Sequence, residues 1–229
     1  FGLLLSFRRL KFSLPTSAGL FAAPLCKLSE DMEGVSLEAG LCTSRTGRAE
    51  TDLSFKINKK IQLSAPTKQL FPDLPFPVDF SLMTTVKAVK GSQVFLLSLY
   101  DTQGTQQLGL ELARSPVFLY EDHEGQPTPE LYPTFRKINL ADGKWHRIAY
   151  SVEGQSVTLY LDCEKVETLD LLRGPDPHVS TDGVTVFGTR LLDEEVFEVN
   201  LHCIFRHVKM ARNRCTRRIK RCTSVAYCY

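Results

Sequence analysis

The stretch INLADGKWHRIAYSVEGQSVTLYLDC, residues 138–163, decides the predicted fold. Its polar and apolar residues alternate in two runs, and alternating side chains of a strand point to opposite faces. The predicted inward faces are His146, Ile148, Tyr150 and Val152 in the first run and Val157, Leu159, Leu161 and Cys163 in the second. The four residues between the runs, 153–156, include a glycine and predict a hairpin connection. We therefore expect two central antiparallel strands, the second of which ends on Cys163.

Shorter alternating or apolar runs recur along the rest of the chain, separated by glycines and prolines. They predict strands near residues 53–57, 80–88, 94–101, 108–112, 115–120, 184–188 and 197–205. Four prolines between residues 61 and 80 exclude a helix there and predict an edge strand followed by a long loop. Residues 169–182 are predicted to be a connector, and no long window shows a helical period. The whole pattern predicts an all-β antiparallel sandwich of two sheets.

Length and charge narrow the class of protein. A chain of 229 residues buries roughly 70–75% of its unfolded surface, which suffices for a core between two sheets. No run approaches the roughly 20 apolar residues that span a bilayer, so no membrane role is predicted. The net charge is +2, but residues 1–25 and 199–229 contribute 3 and 8 basic residues and no acid, which leaves 17 basic against 26 acidic residues between them. An acidic body with basic ends suggests separate origins or roles for the ends.

These composition shifts divide the chain into three segments. Residues 1–33 are predicted to be a poorly ordered N-terminal segment, residues 34–205 the sandwich domain, and residues 206–229 a basic, cysteine-rich C-terminal tail. An imperfect gene model or alternative splicing would account for a non-native origin of both ends.

The chain contains seven cysteines, at positions 26, 42, 163, 203, 215, 222 and 228. None forms a CxxC motif, which argues against a zinc ribbon or a thioredoxin-like site. Their placement before, within and after the strand-rich body suits long-range disulfides, which form in an oxidising compartment. We therefore predict a secreted protein in which the odd count leaves at least one thiol free or intermolecular.

Several long blocks carry a family resemblance. They are LSAPTKQLFP (63–72), GSQVFLLSLYD (91–101), RSPVFLYEDHEGQP (114–127), INLADGKWHRIAYSV (138–152), VTLYLDC (157–163) and VFGTRLLDEEVFE (186–198). Together they closely resemble the amino-terminal non-collagenous domain of fibrillar collagens, nearest to the type V and XI alpha chains. The resemblance implies a laminin-G-like, thrombospondin-N-terminal-like jelly-roll sandwich in the extracellular matrix. It also implies that the domain projects from the fibril surface and limits lateral growth by its bulk.

The same resemblance implies partners and disulfides. Collagen chains would assemble with it through a triple helix whose Gly-X-Y repeat is absent here. By analogy the cysteine pairs would be Cys163–Cys215 and Cys42–Cys222. The alternative pair Cys163–Cys203 stays open, because Cys203 occupies an inward position of the last predicted strand.

Heparan sulfate and matrix glycoproteins are further candidate partners. In close relatives a lysine-rich run follows the cysteine that ends the second hairpin strand, whereas here residues 164–167 read EKVE. The tail could bind glycosaminoglycans instead through a cluster of basic side chains. These are Arg212, Arg214, Arg217, Arg218, Lys220 and Arg221. The competing interpretation, which we weight more heavily, is a solvated charged end.

Enzymatic chemistry is not predicted. The chain lacks a GxSxG elbow, an HExxH pair, a GxGxxG turn and a GxxxxGK[ST] loop, so no catalytic residue or cofactor is proposed. Loop acids such as Glu121, Asp122 and Glu124, or those at 193–195, have the oxygen ligands that calcium prefers. We interpret them as solvated loop acids and predict no metal site and no nucleic-acid partner.

Overall fold

The computed structural model describes residues 33–39, 53–58, 63–71, 75–191 and 199–204, the last range by its backbone. In chain order the strands are β1 (Val35–Ala39), β2 (Leu53–Ile57), β3 (Leu63–Pro66), β4 (Phe80–Ala88), β5 (Val94–Tyr100), β6 (Gln106–Leu112), β7 (Phe118–Tyr120), β8 (Trp145–Glu153), β9 (Ser156–Leu161), β10 (Glu164–Asp170), β11 (Val184–Phe187) and β12 (Val199–Ile204). Of the predicted N-terminal segment 1–33 the structure describes Glu33 alone, and the predicted tail 206–229 lies outside the described residues. No helix of the described part is long and apolar enough to cross a membrane.

The strands form two antiparallel sheets, which confirms the predicted all-β sandwich. One sheet has seven strands in the order β1-β2-β12-β4-β8-β9-β10, and the other has five in the order β3-β11-β5-β6-β7. The predicted central hairpin β8–β9 lies in the seven-stranded sheet, where β8 pairs with β4 on its other side. The last described strand, β12, lies between β2 and β4, so strands distant in sequence complete this sheet.

Alternation along the strands builds the core between the sheets. In β8 the inward residues Ile148, Tyr150 and Val152 are buried, as predicted, and His146 follows them on the same face. Two ring contacts cross between the sheets: Phe118 of β7 lies 5.2 Å from Tyr150, and Phe80 of β4 lies 6.3 Å from Tyr120 (centroid distances). Aromatic pairs of this kind stabilise by about 0.5–1.5 kcal/mol beyond the area they bury.

The β8–β9 turn and the β9–β10 turn both differ from the predicted connections. The predicted four-residue connector is wrong, because Glu153 pairs with Ser156 and only Gly154 and Gln155 form the turn. Gly154 has φ 54°, which a residue without a Cβ adopts at little cost. The prediction that Cys163 ends the second strand is also wrong. β9 ends at Leu161, and Cys163 lies with Asp162 in a two-residue turn before β10.

The sequence pattern does not predict β1, β10 or the helical turn at residues 67–70. Part of β10 falls in the predicted connector, because its side chains are mostly exposed and its pairing shifts between Lys165 and Glu167. Such a bulge removes the alternation that marks a strand. The proline-rich stretch contains the predicted edge strand β3, but also one helical turn, α1 (Thr67–Leu70), which begins directly after Pro66. Proline before the first helical residue costs no hydrogen bond. The prediction that the four prolines exclude any helix between residues 61 and 80 is therefore wrong.

Candidate functional site: a basic end of the sandwich

One end of the sandwich collects basic side chains from loops and strand ends that are far apart in sequence. Three backbone hydrogen bonds bring these segments together: Gly91 N donates to Ala141 O (2.8 Å), Leu140 N to Ala113 O (3.0 Å) and Ser115 N to Ile138 O (2.7 Å). We define the basic end by its cations, which are Lys87, Lys90, Arg114, Arg136, Lys137, Lys144, Arg147 and Lys165. All of these are exposed except Lys87 and Arg147, which are half-buried. Its described exposed or half-exposed carboxylates are fewer: Asp142, Asp162 and Glu164, with Glu33 just before β1 at the edge of the same sheet.

The opposite end is acidic. It contains the β8–β9 turn, the loop after β7, the turn after β5 and the segment after β10, which hydrogen bonds hold together. We define the acidic end by Asp79, Asp101, Glu121, Glu124, Glu153, Asp170 and Asp176. Its described cations are Arg173, which is buried, and Lys68, which pairs with Asp182. The sandwich therefore has a charge asymmetry along its strands, which creates a field that orients charged partners.

At the basic end the imidazole of His146 lies between two carboxylates, those of Asp142 and Asp162, an arrangement that we call the histidine clamp. His146 Nδ1 lies 2.9 Å from Asp162 Oδ2, and His146 Nε2 lies 3.0 Å from Asp142 Oδ1. The imidazole thus joins the loop before β8 to the β9–β10 turn. Its side chain is 12% exposed, so water has little access to replace either contact.

Backbone groups hold both carboxylates in position for the clamp. Asp142 Oδ1 accepts from Lys144 N (2.8 Å), and Asp162 Oδ1 accepts from Arg147 N (2.9 Å). Asp162 N in turn donates to Arg147 O at 2.8 Å. Asp162 and Cys163 have φ of 50° and 76°, as in the tight hairpin turns whose two central residues both have positive φ. The side-chain contacts therefore stabilise a turn that L-residues adopt at a cost.

The clamp requires a charged imidazole. A neutral imidazole carries one N–H, whereas an imidazolium donates from both ring nitrogens. Burial alone would lower the pKa of His146, but the hydrogen bonds to Asp162 and Asp142 outweigh it and the pKa is raised above its usual value. Burial raises the pKa of Asp142, but the Lys144 N–H and His146 outweigh it, and the pKa of that carboxyl falls below its usual value.

The indole of Trp145 lies beside this clamp on the other face of the sheet. Trp145 is the first residue of β8, is half-buried, and pairs across the sheet with Lys87. Arg147 follows on the same face, opposite Thr85 of β4. The outer face of the seven-stranded sheet at the basic end therefore presents an aromatic ring between two cations.

The residues predicted as site residues are not brought together within the described part. Cys163 is half-buried in the β9–β10 turn. Cys42, Cys215 and Cys222 lie outside the described residues, as do the basic tail residues Arg212, Arg214, Arg217, Arg218, Lys220 and Arg221. The two family-based disulfides and the tail site stay predictions.

The sheet order does bear on the alternative pair Cys163–Cys203. Cys203 lies in β12 opposite Thr85 of β4, and β8 separates β4 from β9. Three strand spacings amount to about 14 Å, whereas the Cα atoms of a disulfide lie about 4.4–6.8 Å apart. The sheet order therefore argues against this pair.

Two of the acids considered for calcium, Asp122 and Glu121, accept hydrogen bonds from other groups of the domain. Asp122 Oδ1 accepts from Glu124 N and Gln126 N, both at 2.9 Å, and Asp122 Oδ2 accepts from Gly174 N at 2.8 Å. Glu121 Oε2 accepts from the Tyr132 hydroxyl at 2.8 Å. Within the described ranges no group of three metal-ligating side chains is found, and residues 193–195 lie outside them.

Sequence reasoning missed the basic end because its cations are dispersed among five stretches of the chain, at 87–90, 114, 136–137, 144–147 and 165. A signal for the clamp was present, since Asp142 precedes His146 by four residues and Asp162 follows the second hairpin strand. Which residues meet depends on the β8–β9 and β9–β10 registers.

Comparison with known proteins supports the fold. Residues 90–202 match the laminin G domain family. Among solved structures, the binding domain of Paraclostridial Mosquitocidal Protein 1 aligns with a TM-score of 0.50 at 13% identity, covering 81% of this chain and 47% of that one. The receptor binding domain of botulinum neurotoxin D aligns with a TM-score of 0.49 at 11% identity and covers 81% and 47%. This chain thus spans about half the length of those structures. At 13% identity the likeness to the first of them concerns the fold alone.

Proposed function

We propose that this chain, whose residues 90–202 match the laminin G domain family, acts without catalysis in the extracellular matrix, as the amino-terminal domain of a minor fibrillar collagen that limits fibril growth. The supporting observation is that the blocks resembling type V and XI chains are successive parts of one sandwich. Residues 63–72 contain β3 and α1, residues 91–101 contain β5, and residues 138–163 contain the β8–β9 hairpin. A two-sheet body attached to a thin triple helix would be too wide for the lateral packing of a fibril.

Fibril assembly tests this proposal. A fibrillar collagen chain that carries residues 34–204 is compared with the same chain lacking them and with one carrying an unrelated globular domain of equal mass. We expect narrow fibrils with either domain and wide fibrils without one. Equal fibril diameters in all three cases would reject steric control. If this domain narrows the fibrils and the unrelated domain does not, specific binding rather than bulk limits fibril growth. Gly-X-Y repeats in the downstream sequence would establish the class of protein.

The basic end favours a second function, the binding of sulfated glycosaminoglycans as a matrix adaptor. Arg147 and Lys165 lie on the outer face of the sheet there with Trp145, and the exposed Lys144 precedes this ring, while the opposite end is acidic. A sulfated chain approaching this body would be attracted to one end and repelled from the other. The described domain thus supplies a candidate site separate from the tail residues predicted from sequence.

Heparin chromatography distinguishes the two sites. The Lys144→Glu/Arg147→Glu double variant should elute at lower salt than the unaltered chain, because fewer cations face the polyanion. Lys68→Glu is the control: it makes the same kind of charge change on an exposed lysine at the acidic end. If deletion of residues 206–229 abolishes retention and the double variant elutes normally, the basic end is not the site.

A further inference from the structure

We propose that protonation of His146 regulates anion binding at the basic end, because the imidazolium neutralises the two carboxylates that would otherwise repel a sulfated polymer. The inference rests on the second proposed function and concerns the same site. It adds a pH dependence that lysine and arginine, which stay charged throughout the physiological range, cannot supply.

The first step is the geometry of the clamp. Both ring nitrogens of His146 lie within hydrogen-bond distance of a carboxylate oxygen, at 2.9 Å from Asp162 and 3.0 Å from Asp142. On deprotonation one ring nitrogen becomes an acceptor and faces an acceptor oxygen. One of the two contacts is then lost, and the side chain's low exposure leaves little room for water to bridge it.

The second step is the set of charges around the ring. The loop before β8 contributes Asp142 and Lys144, whose Nζ lies 3.9 Å from Asp142 Oδ2. The β9–β10 turn contributes Asp162 and the half-buried thiol of Cys163. β4 places the uncharged Val86 opposite His146, with Lys87 as the next residue. On β8 itself Arg147 follows His146 and points to the outer face. Among these groups His146 is the one whose ordinary pKa lies near neutral pH.

The third step is the effect on the surface. The protonated ring offsets the charge of Asp142 and Asp162, so the remaining field at this end comes from the surrounding lysines and arginines. Loss of the proton removes one positive charge and one of the two hydrogen bonds from the ring to the carboxylates. It also releases a side-chain contact of the β9–β10 turn, next to Lys165. Anion affinity should therefore decrease as the pH rises through the raised pKa of His146.

The test measures heparin affinity across pH about 6 to about 8, a range in which histidine side chains titrate and which ends below the ordinary pKa of about 8.5 of a cysteine thiol such as Cys163. For the unaltered chain we expect a decrease of about fivefold, the scale of one partly screened charge. His146→Gln should bind with a flat profile over this range. His178→Gln is the matched control, because His178 is an exposed histidine at the acidic end, 3.5 Å from Asp176, and it should keep the unaltered profile.

A measurement without ligand covers the case in which His146→Gln fails to fold. In NMR spectra of the unaltered chain, both imidazole nitrogens of His146 should be protonated at pH about 6, and the Asp162 amide signal should shift with the same midpoint as the ring. A neutral imidazole at that pH overturns the proposal. The proposal is also overturned if His146→Gln shows the same pH dependence of heparin binding as the unaltered chain. If the unaltered chain binds heparin at no pH, the adaptor function itself is wrong.

Discussion

The guanidinium of Arg173 lies 3.0 Å from the carboxylate of Asp79 (Nη2 to Oδ1) and joins three segments at the acidic end. Its Nη1 donates to Val78 O at 2.6 Å and its Nε to Gly154 O at 2.8 Å. The side chain is 1% exposed, whereas that of Asp79 is 48% exposed. Arg173 thus ties the loop before β4 to the β8–β9 turn.

Replacing Arg173 by Met should lower the free energy of unfolding by about 2–4 kcal/mol, because two backbone carbonyls and a carboxylate lose their donor. Urea denaturation measures the change. Asp79→Asn should cost less than about 1 kcal/mol, since its carboxylate is half exposed. Equal losses in the two variants would mean that the ion pair, rather than the carbonyl contacts, stabilises this end.

Asp122→Ala should lower the free energy of unfolding by about 2–4 kcal/mol. The carboxylate accepts three backbone N–H groups, and a buried donor without a partner costs about 1–3 kcal/mol. Asp176→Ala is the control, because its side chain is 84% exposed and should be nearly neutral. Thermal unfolding of both variants without added metal tests whether Asp122 stabilises the loop by itself.

Gly183→Ala should destabilise the sandwich strongly, by about 3 kcal/mol or more. A Cβ at this position would overlap the carbonyl oxygen of Tyr100, at the point where the chain enters β11 beside β5. Gly104→Asn provides the comparison. Gly104 has φ 88° and open space around it, and asparagine tolerates this conformation, so the loss should stay near or below about 1 kcal/mol.

Tyr150→Phe should leave stability unchanged or raise it by up to about 1 kcal/mol. Among the described residues the Tyr150 hydroxyl is the one buried side-chain polar group without a hydrogen-bond partner, and removing such a group removes a desolvation penalty. The ring contacts with Phe118 and Phe135 are retained. A loss above about 1 kcal/mol would indicate that an ordered water bonds the hydroxyl.

The stability difference between the unaltered chain and His146→Gln should depend on pH. Because the pKa of His146 is raised in the folded state, its contribution is fully present below the unfolded value of about 6.5 and is lost as the pH rises through the folded value. Asp142 acts oppositely: its pKa is lowered, so its contribution is present above its ordinary pKa and disappears as the pH falls. Denaturation midpoints across the pH range should therefore diverge most at mildly acidic pH, and parallel curves would contradict the clamp.

The central strands were predictable because side-chain alternation is a local property of the chain. The buried faces of β4 and β8 follow directly from residues such as Leu82 and Ile148. β10 and α1 escaped prediction because a bulge and a single helical turn interrupt the periods on which such predictions depend. The predicted end of the second hairpin strand, Cys163, lies two residues beyond the observed end, because alternation does not specify where a strand ends and a two-residue turn begins.

The sequence by itself determined the all-β class, the inward faces and the two-sheet core, because these depend on residues two positions apart. Only the tertiary structure decided that dispersed lysines and arginines share one end, that Arg173 and Asp122 bond backbone groups, and that His146 lies between two carboxylates. These relations depend on the order and register of the strands. The pairings of β12 with β4 and of β8 with β9 depend on the packing energy of the whole sheet, so they cannot be derived from any single segment of the chain.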